Sequence, residues 1–140
     1  MTIRVAGIGT ALPEKIVTND ELAETIDTND QWIRERSGIG QRHVGGVTSE
    51  LATEAGIRAI KNAGLTPDDI GLLIVCTTTP DQQLPATSAV VQRDIGLTCG
   101  AFDINAVCAG FIYSYVMAYG QMLMPGGPER VLVIGSESLS

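Results

Sequence analysis

Three cysteines, one histidine and nine Lys or Arg side chains carry much of the reactive chemistry open to this 140-residue chain. A cysteine becomes a nucleophile where its surroundings favour thiolate, as at a helix N-terminus, and otherwise behaves as a small hydrophobe. Cys108 stands in AFDINAVCAGFIYSY, residues 101–115, where a strand-like DIN runs into a helix-like AGFIYSY. That position offers its sulfur the unpaired N–H groups and the positive dipole end of a helix. Ala106, Ala109 and Gly110 leave room for a ligand, and Phe111 supplies an apolar wall. The main-chain N–H groups could hold an oxyanion developing on a thioester carbonyl. A buried, inert cysteine satisfies the same apolar pattern, so on the residues alone both readings of Cys108 stand. Cys76, in the apolar run 71–79, and Cys99, in the turn LTCG, read as inert thiols.

His43 is the only histidine, so a Cys-His pair confined to these residues must use it. It lies in a glycine-flanked stretch with nothing to place it near Cys108, and it reads as solvated or structural. One His and three scattered Cys lack ligand spacing, so no metal is expected. Gly7-Ile8-Gly9 begins a dinucleotide-binding fingerprint, but Pro13 follows, the third glycine is missing and no helix opens there. A glycine-tolerant strand end is the better reading. Arg34, Arg36 and Arg42 fall within nine positions and form a patch that could meet a small phosphorylated ligand.

The net charge of -7 argues against nucleic acid as a main partner, because counterion release needs clustered Lys and Arg. With 44% hydrophobic and 18% charged residues, the chain should fold around one core. The odd cysteine count, and an opening MTIRVAGIGTALPE without a signal peptide's apolar core, fit a reducing cytoplasm. Residues 104–128 carry no charge, but Asn105, Gly110, Ser114, Gly120, Gln121 and Pro125 interrupt the apolar stretch. It is too broken for a membrane span, which takes about 20 residues, and reads as a buried core helix.

The elements that must position these side chains follow from periodicity and punctuation. IRVAGIGTALP reads as a strand stopped by Pro13, and TNDELAETI as a short helix capped by Thr18 or Asn19. Thr28 caps a second short helix, DQWIRERSG, ended by Gly38, and Gly40, Gly45 and Gly46 make the next stretch a loop. From Thr48 to Ala63, Leu51, Ala55 and Ala59 and then Ala52, Gly56 and Ile60 form adjacent i, i+4 rows of an amphipathic helix. GLLIVCTTT (71–79), CGAFDIN and RVLVIGSES read as strands, alternating with helices over 86–96 and from Cys108 onward. The alternation implies a largely parallel sheet covered by helices on both faces.

The stretch DINAVCAGF (103–111), preceded by QWIRERSGIGQRHV (31–44) and LLIVCTTTPDQQLP (72–85), closely resembles the amino-terminal half of β-ketoacyl-acyl carrier protein synthase III, the initiating condensing enzyme of the thiolase superfamily. The resemblance runs over essentially all 140 residues. It implies an α/β, thiolase-like half-domain spanning 1–140, the second half being absent, and a role in fatty acid synthesis. Cys108 matches the family's acyl-accepting cysteine, which is loaded from acyl coenzyme A before malonyl-acyl carrier protein binds, decarboxylates and attacks the thioester. Thr28, Trp32 and Arg36 match residues at the coenzyme's adenine and nucleotide end. Trp32 otherwise reads as a half-buried anchor of its helix. Leu84 matches a position that reaches across a dimer interface into the partner's acyl pocket, and Phe111 joins the substrate pocket. No permanently bound cofactor is implied; acyl coenzyme A is a substrate, and a homodimer is the implied assembly.

The family completes its site with a histidine and an asparagine from its second half, neither of which lies in these 140 residues. A piece of a longer synthase, able at most to load an acyl group and exposing apolar surface, is therefore the expectation. The alternatives are a related starter enzyme of secondary metabolism and an inactive half-domain that only pairs with another subunit.

Overall fold

Thr18 opens the first helix through a reciprocal cap. In the computed structural model, which describes residues 2–140, its hydroxyl accepts the Glu21 N–H at 3.2 Å while the Glu21 carboxylate takes the Thr18 N–H at 2.7 Å. This helix, α1 (Asn19–Ala23), belongs to a small unit of residues 12–46 and 139–140. The unit also holds β1 (Ile16–Thr18), α2 (Asp30–Ser37) and β2 (Gln41–His43). The stretch read as a loop after Gly40 contains β2, which pairs antiparallel with β1, His43 opposite Ile16. Three residues per strand are too few for periodicity to reveal. The cap of α2 is Asn29, not Thr28: its side chain accepts the Trp32 N–H at 2.8 Å. Asn outranks Thr at this position, and its amide oxygen reaches N3 directly. Gly38 ends the helix at φ 74, in the left-handed region a glycine tolerates.

The larger unit, residues 2–11 and 47–138, contains α3 (Thr48–Asn62), β3 (Leu72–Cys76), α4 (Thr87–Ile95), β4 (Gly100–Ile104), α5 (Gly110–Leu123) and β5 (Val131–Gly135). The three strands form a parallel sheet in the order β4-β3-β5. Leu73, Ile74 and Val75 of the central strand are fully buried, as expected for a strand covered on both faces. Leu73 and Val75 join Ala52 and Ile60 of α3, Val91 and Ile95 of α4, and Leu132 and Ile134 of β5 in one core. Gly56 is what lets α3 come this close, since a Cβ there would meet the Ile95 side chain at 2.7 Å.

The opening residues do not form the expected strand. The backbone around Gly7 and Gly9 lies against the Ala55–Ala59 row of α3, where a Cβ on Gly7 would meet the Ala59 carbonyl at 2.5 Å and one on Gly9 would run into Ala55. Side chains of α3 replace ladder partners: Asn62 accepts the Ile8 N–H at 3.0 Å and Arg58 donates to the Thr10 carbonyl at 2.5 Å. The glycines that sequence reading assigned to a strand end are contact points on a helix.

Helix α5 packs on the other face of the sheet through Gly110, Ser114 and Ala118. The core helix read from its lack of charge is buried on one side only, and its other side is open, as expected for a half-domain that exposes apolar surface. Ile112 is 65% exposed and Val116 59%, because the sheet covers only the small-residue stripe. Among the described residues no helix is long and apolar enough to cross a membrane.

Candidate functional site

Cys108 follows the C-terminal end of β4, the edge of a parallel sheet at which ligands of open α/β folds bind. It does not occupy the first turn of α5, as the sequence predicts, but the middle of a short 3-10 turn, Val107–Ala109, which delivers the chain into that helix. The Ala109 N–H donates to the Ala106 carbonyl at 3.1 Å, and the Gly110 N–H donates to Val107. Val107 has φ 50, a left-handed conformation that is a genuine outlier for a β-branched residue. Such strain persists only where the surroundings impose it, and it concentrates at functional turns. The Cys108 side chain is exposed, unlike Cys76, which is buried, and Cys99, which is half-buried. Burial pushes the thiols of Cys76 and Cys99 up, which disfavours their thiolates. Of the three cysteines, Cys108 is the one a ligand can reach.

Phe111, half exposed, lies over the end of β5, where a Cβ on Gly135 would stand 3.6 Å from its ring. Leu84 is 85% exposed in the segment leading into α4. A groove of about 450 Å³ beside α3 and α4, lined by Glu50, Thr53, Ile57 and Asp94 among others, contains none of the predicted site residues.

Three polar arrangements beside the sheet edge escaped sequence reading. Asp103, noted only as part of the cysteine motif, caps α4 from the neighbouring strand. Glu137 gathers the exit of β3: it accepts the Thr78 N–H at 2.9 Å and the hydroxyls of Thr78 at 3.0 Å, Thr79 at 2.7 Å and Thr77 at 3.4 Å. Asp81 accepts the Ser49 N–H at 3.2 Å, closing the start of α3, where Val47 offers no side-chain cap. The one available signal was three consecutive threonines at the end of an otherwise apolar strand.

In the small unit, Trp32 is 55% exposed and stands in the first turn of α2. Arg36, one turn later, places its guanidinium 5.9 Å from the ring centroid, within cation–π range. The other two arginines of the patch are structural. Arg34 pairs with Asp30 at 2.8 Å, and Arg42 donates to the Asn19 amide oxygen at 2.6 Å. Buried Asn19 in turn donates to Asp30 and to the Ile39 carbonyl, each at 2.8 Å. Its hydrogen bond, followed by that of Arg34, holds the Asp30 carboxyl below its ordinary range. Arg42, like Arg36, has no carboxylate partner, but its guanidinium is held by Asn19 and the Thr18 carbonyl, which leaves Arg36 as the member of the patch without a hydrogen-bonded partner among the described residues. The Thr28 hydroxyl is buried without a hydrogen-bond partner, as are those of Thr53, Thr87, Ser88 and Ser114. His43 is structural, its ring Nδ1 bonded to the Pro13 carbonyl at 2.5 Å.

Residues 102–140 match the family model described as 3-oxoacyl-[acyl-carrier-protein (ACP)] synthase III. The chain is 50% identical over 140 residues to the β-ketoacyl-[acyl-carrier-protein] synthase III of Rhizorhabdus wittichii, with 97% of the chain and 44% of that protein covered. Among solved structures, it superposes on the 3-oxoacyl-[acyl-carrier-protein] synthase III of Aquifex aeolicus with a TM-score of 0.92 and 37% identity, over 97% of the chain and 45% of that structure. It superposes on the priming β-ketosynthase of the R1128 polyketide biosynthetic pathway with a TM-score of 0.90 and 31% identity, over 97% and 42%. The chain thus spans somewhat less than half the length of these relatives and carries the α/β, thiolase-like fold expected of it.

Proposed function

Because the chain belongs to the β-ketoacyl-[acyl-carrier-protein] synthase III family, we propose that it carries the acyl-accepting half of an initiating condensing enzyme, with Cys108 as nucleophile. The observation that carries this reading is the exposed Cys108 behind the left-handed Val107, in a turn that enters α5. In the first stage the Cys108 thiolate attacks the carbonyl of an acyl coenzyme A. The tetrahedral oxyanion collapses, the C–S bond to coenzyme A breaks, and the coenzyme leaves as a thiolate that takes a proton from solvent, leaving an acyl-cysteine. In the second stage malonyl-acyl carrier protein loses carbon dioxide. Its carbanion attacks the acyl-cysteine, forming the new C–C bond and expelling the Cys108 thiolate. Thr28, Trp32 and Arg36 take the nucleotide end of the coenzyme, Trp32 by stacking and Arg36 by charge. Leu84 and Phe111 border the acyl group, in a homodimer.

The histidine and asparagine implied for the second stage lie outside these 140 residues, and His43 is held by Pro13. For this chain we therefore propose acyl loading without condensation. Intact-mass measurement after incubation with acetyl coenzyme A tests it. One acetyl group is expected, lost in Cys108→Ala; no adduct, or one that persists in that variant, removes Cys108 from the role.

Similarity to the R1128 priming ketosynthase favours a second reading, a starter enzyme of secondary metabolism. Comparing acetyl coenzyme A with longer or branched acyl coenzyme A thioesters as donors separates the two.

A further inference from the structure

Cys76 ends β3, in register with Ile104 of β4 and Gly135 of β5. Its side chain is 6% exposed and turns to the face of the sheet that α5 covers. Three groups converge on it there. A Cβ on Gly110 would lie 3.2 Å from Cys76 Cβ and 3.7 Å from its Sγ, and a Cβ on Gly135 would lie 3.3 Å from the same sulfur. The hydroxyl of Ser114, a fully buried residue, has no nitrogen or oxygen partner and sits beside that sulfur. Gly110 begins α5 two residues after Cys108, so the group that fills position 76 determines how closely the nucleophile turn seats on the sheet. Cys76 is not a competing nucleophile: burial pushes its thiol up, the Ser114 hydroxyl offsets part of this, and the charge of Glu137 adds to it.

We propose that Cys76 is a positioning residue for Cys108. Its thiol fills the space between Gly110, Gly135 and Ser114, and so fixes the orientation of the turn that presents the Cys108 sulfur. The inference rests on Cys108 being the acyl acceptor. Its content is steric. Serine, nearly the same size and able to bond Ser114, keeps the seat, whereas leucine must displace Gly110 or Gly135 because the packed interior has no slack.

The test uses the 140-residue chain carrying Cys99→Ala, with alkylation of Cys108 by iodoacetamide followed across pH by peptide mass spectrometry. Cys76→Ser is expected to alkylate within about twofold of the parent, with the same pH midpoint. Cys76→Leu is expected to react roughly tenfold more slowly at neutral pH, with its midpoint displaced. A folded Cys76→Leu chain with the parent's rate and midpoint overturns the proposal. Should leucine prevent folding, as judged by circular dichroism, Gly135→Ala presses a single methyl on the same sulfur from β5. A several-fold change in rate is then expected, and an unchanged profile overturns the proposal.

Acetylation by acetyl coenzyme A is measured in parallel, which keeps the two ideas apart. A parent that is never acetylated, beside a Cys76→Leu chain with altered alkylation, removes acyl transfer and leaves the seat. Normal acetylation with unaltered alkylation does the reverse.

Discussion

The Asp103 carboxylate of β4 accepts the main-chain N–H of Thr87, the first residue of α4, at 2.8 Å. Its other oxygen takes the Ser88 N–H at 2.7 Å, and the N-cap residue Ala86 supplies no acceptor of its own. One side chain therefore ties the strand that leads to Cys108 to the helix that follows Leu84. Asp103→Ala leaves two N–H groups at a helix start without their charged acceptor. A loss of about 2–3 kcal/mol in urea unfolding is expected, with Asp103→Asn retaining roughly half of it. Parent-like stability in the alanine variant would show that water serves the helix equally well.

Glu137 sets a pH dependence. Burial pushes its carboxyl up, but the hydrogen bonds from the Thr79 hydroxyl, the Thr78 N–H and hydroxyl and the Thr77 hydroxyl outweigh this and hold it below the ordinary 4.5. A carboxylate whose pKa is depressed on folding adds stability above its unfolded value, and that stability is lost as pH falls through the folded one. The parent should exceed Glu137→Gln in stability above about pH 5. The difference should shrink below 4.5 and vanish in acid. Urea midpoints at a series of pH values check this, and a gap independent of pH rules out the charge.

Val107, at φ 50, holds a backbone conformation that L-residues other than Asn and Asp seldom adopt. Val107→Gly should relieve this and raise stability by about 0.5–1 kcal/mol, net of the entropy glycine loses on folding. Thermal melts measure it; a destabilised variant would mean that the exposed valine side chain makes a contact worth more than the strain.

Coenzyme A should quench the emission of Trp32 if the ring stacks on adenine. Arg36→Ala is expected to weaken that quenching several-fold through loss of one phosphate contact, while Arg34→Ala, whose side chain is engaged by Asp30, should leave it within about twofold. Equal effects from both arginines would assign the response to general charge.

The longer elements were legible because they repeat a period. Helix α3 shows two rows of small residues, and β3 is continuously apolar. What was illegible depends on contacts distant in sequence. Residues 7–10 carry a strand's composition yet lie on a helix, because Gly7 and Gly9 permit the approach and Asn62 and Arg58 supply the hydrogen bonds. Likewise the arginine patch was visible as charge, but nothing local reveals that Asn19 and Asp30 engage two of its three members. At the candidate site, the turn around Cys108 was legible from its small residues. The Glu137 and Asp103 bonds were not, since each links positions 15 or more apart in the chain.

The aromatic residues divide between the two units in a way that has a practical consequence. The single tryptophan, Trp32, belongs to the small unit, and the three tyrosines, Tyr113, Tyr115 and Tyr119, all stand on α5 in the larger one. Each unit thus has its own intrinsic optical reporter. Red-edge excitation follows the unit of Trp32 and ultraviolet difference absorbance follows α5, so the order in which the two parts lose structure can be read from one unlabelled sample.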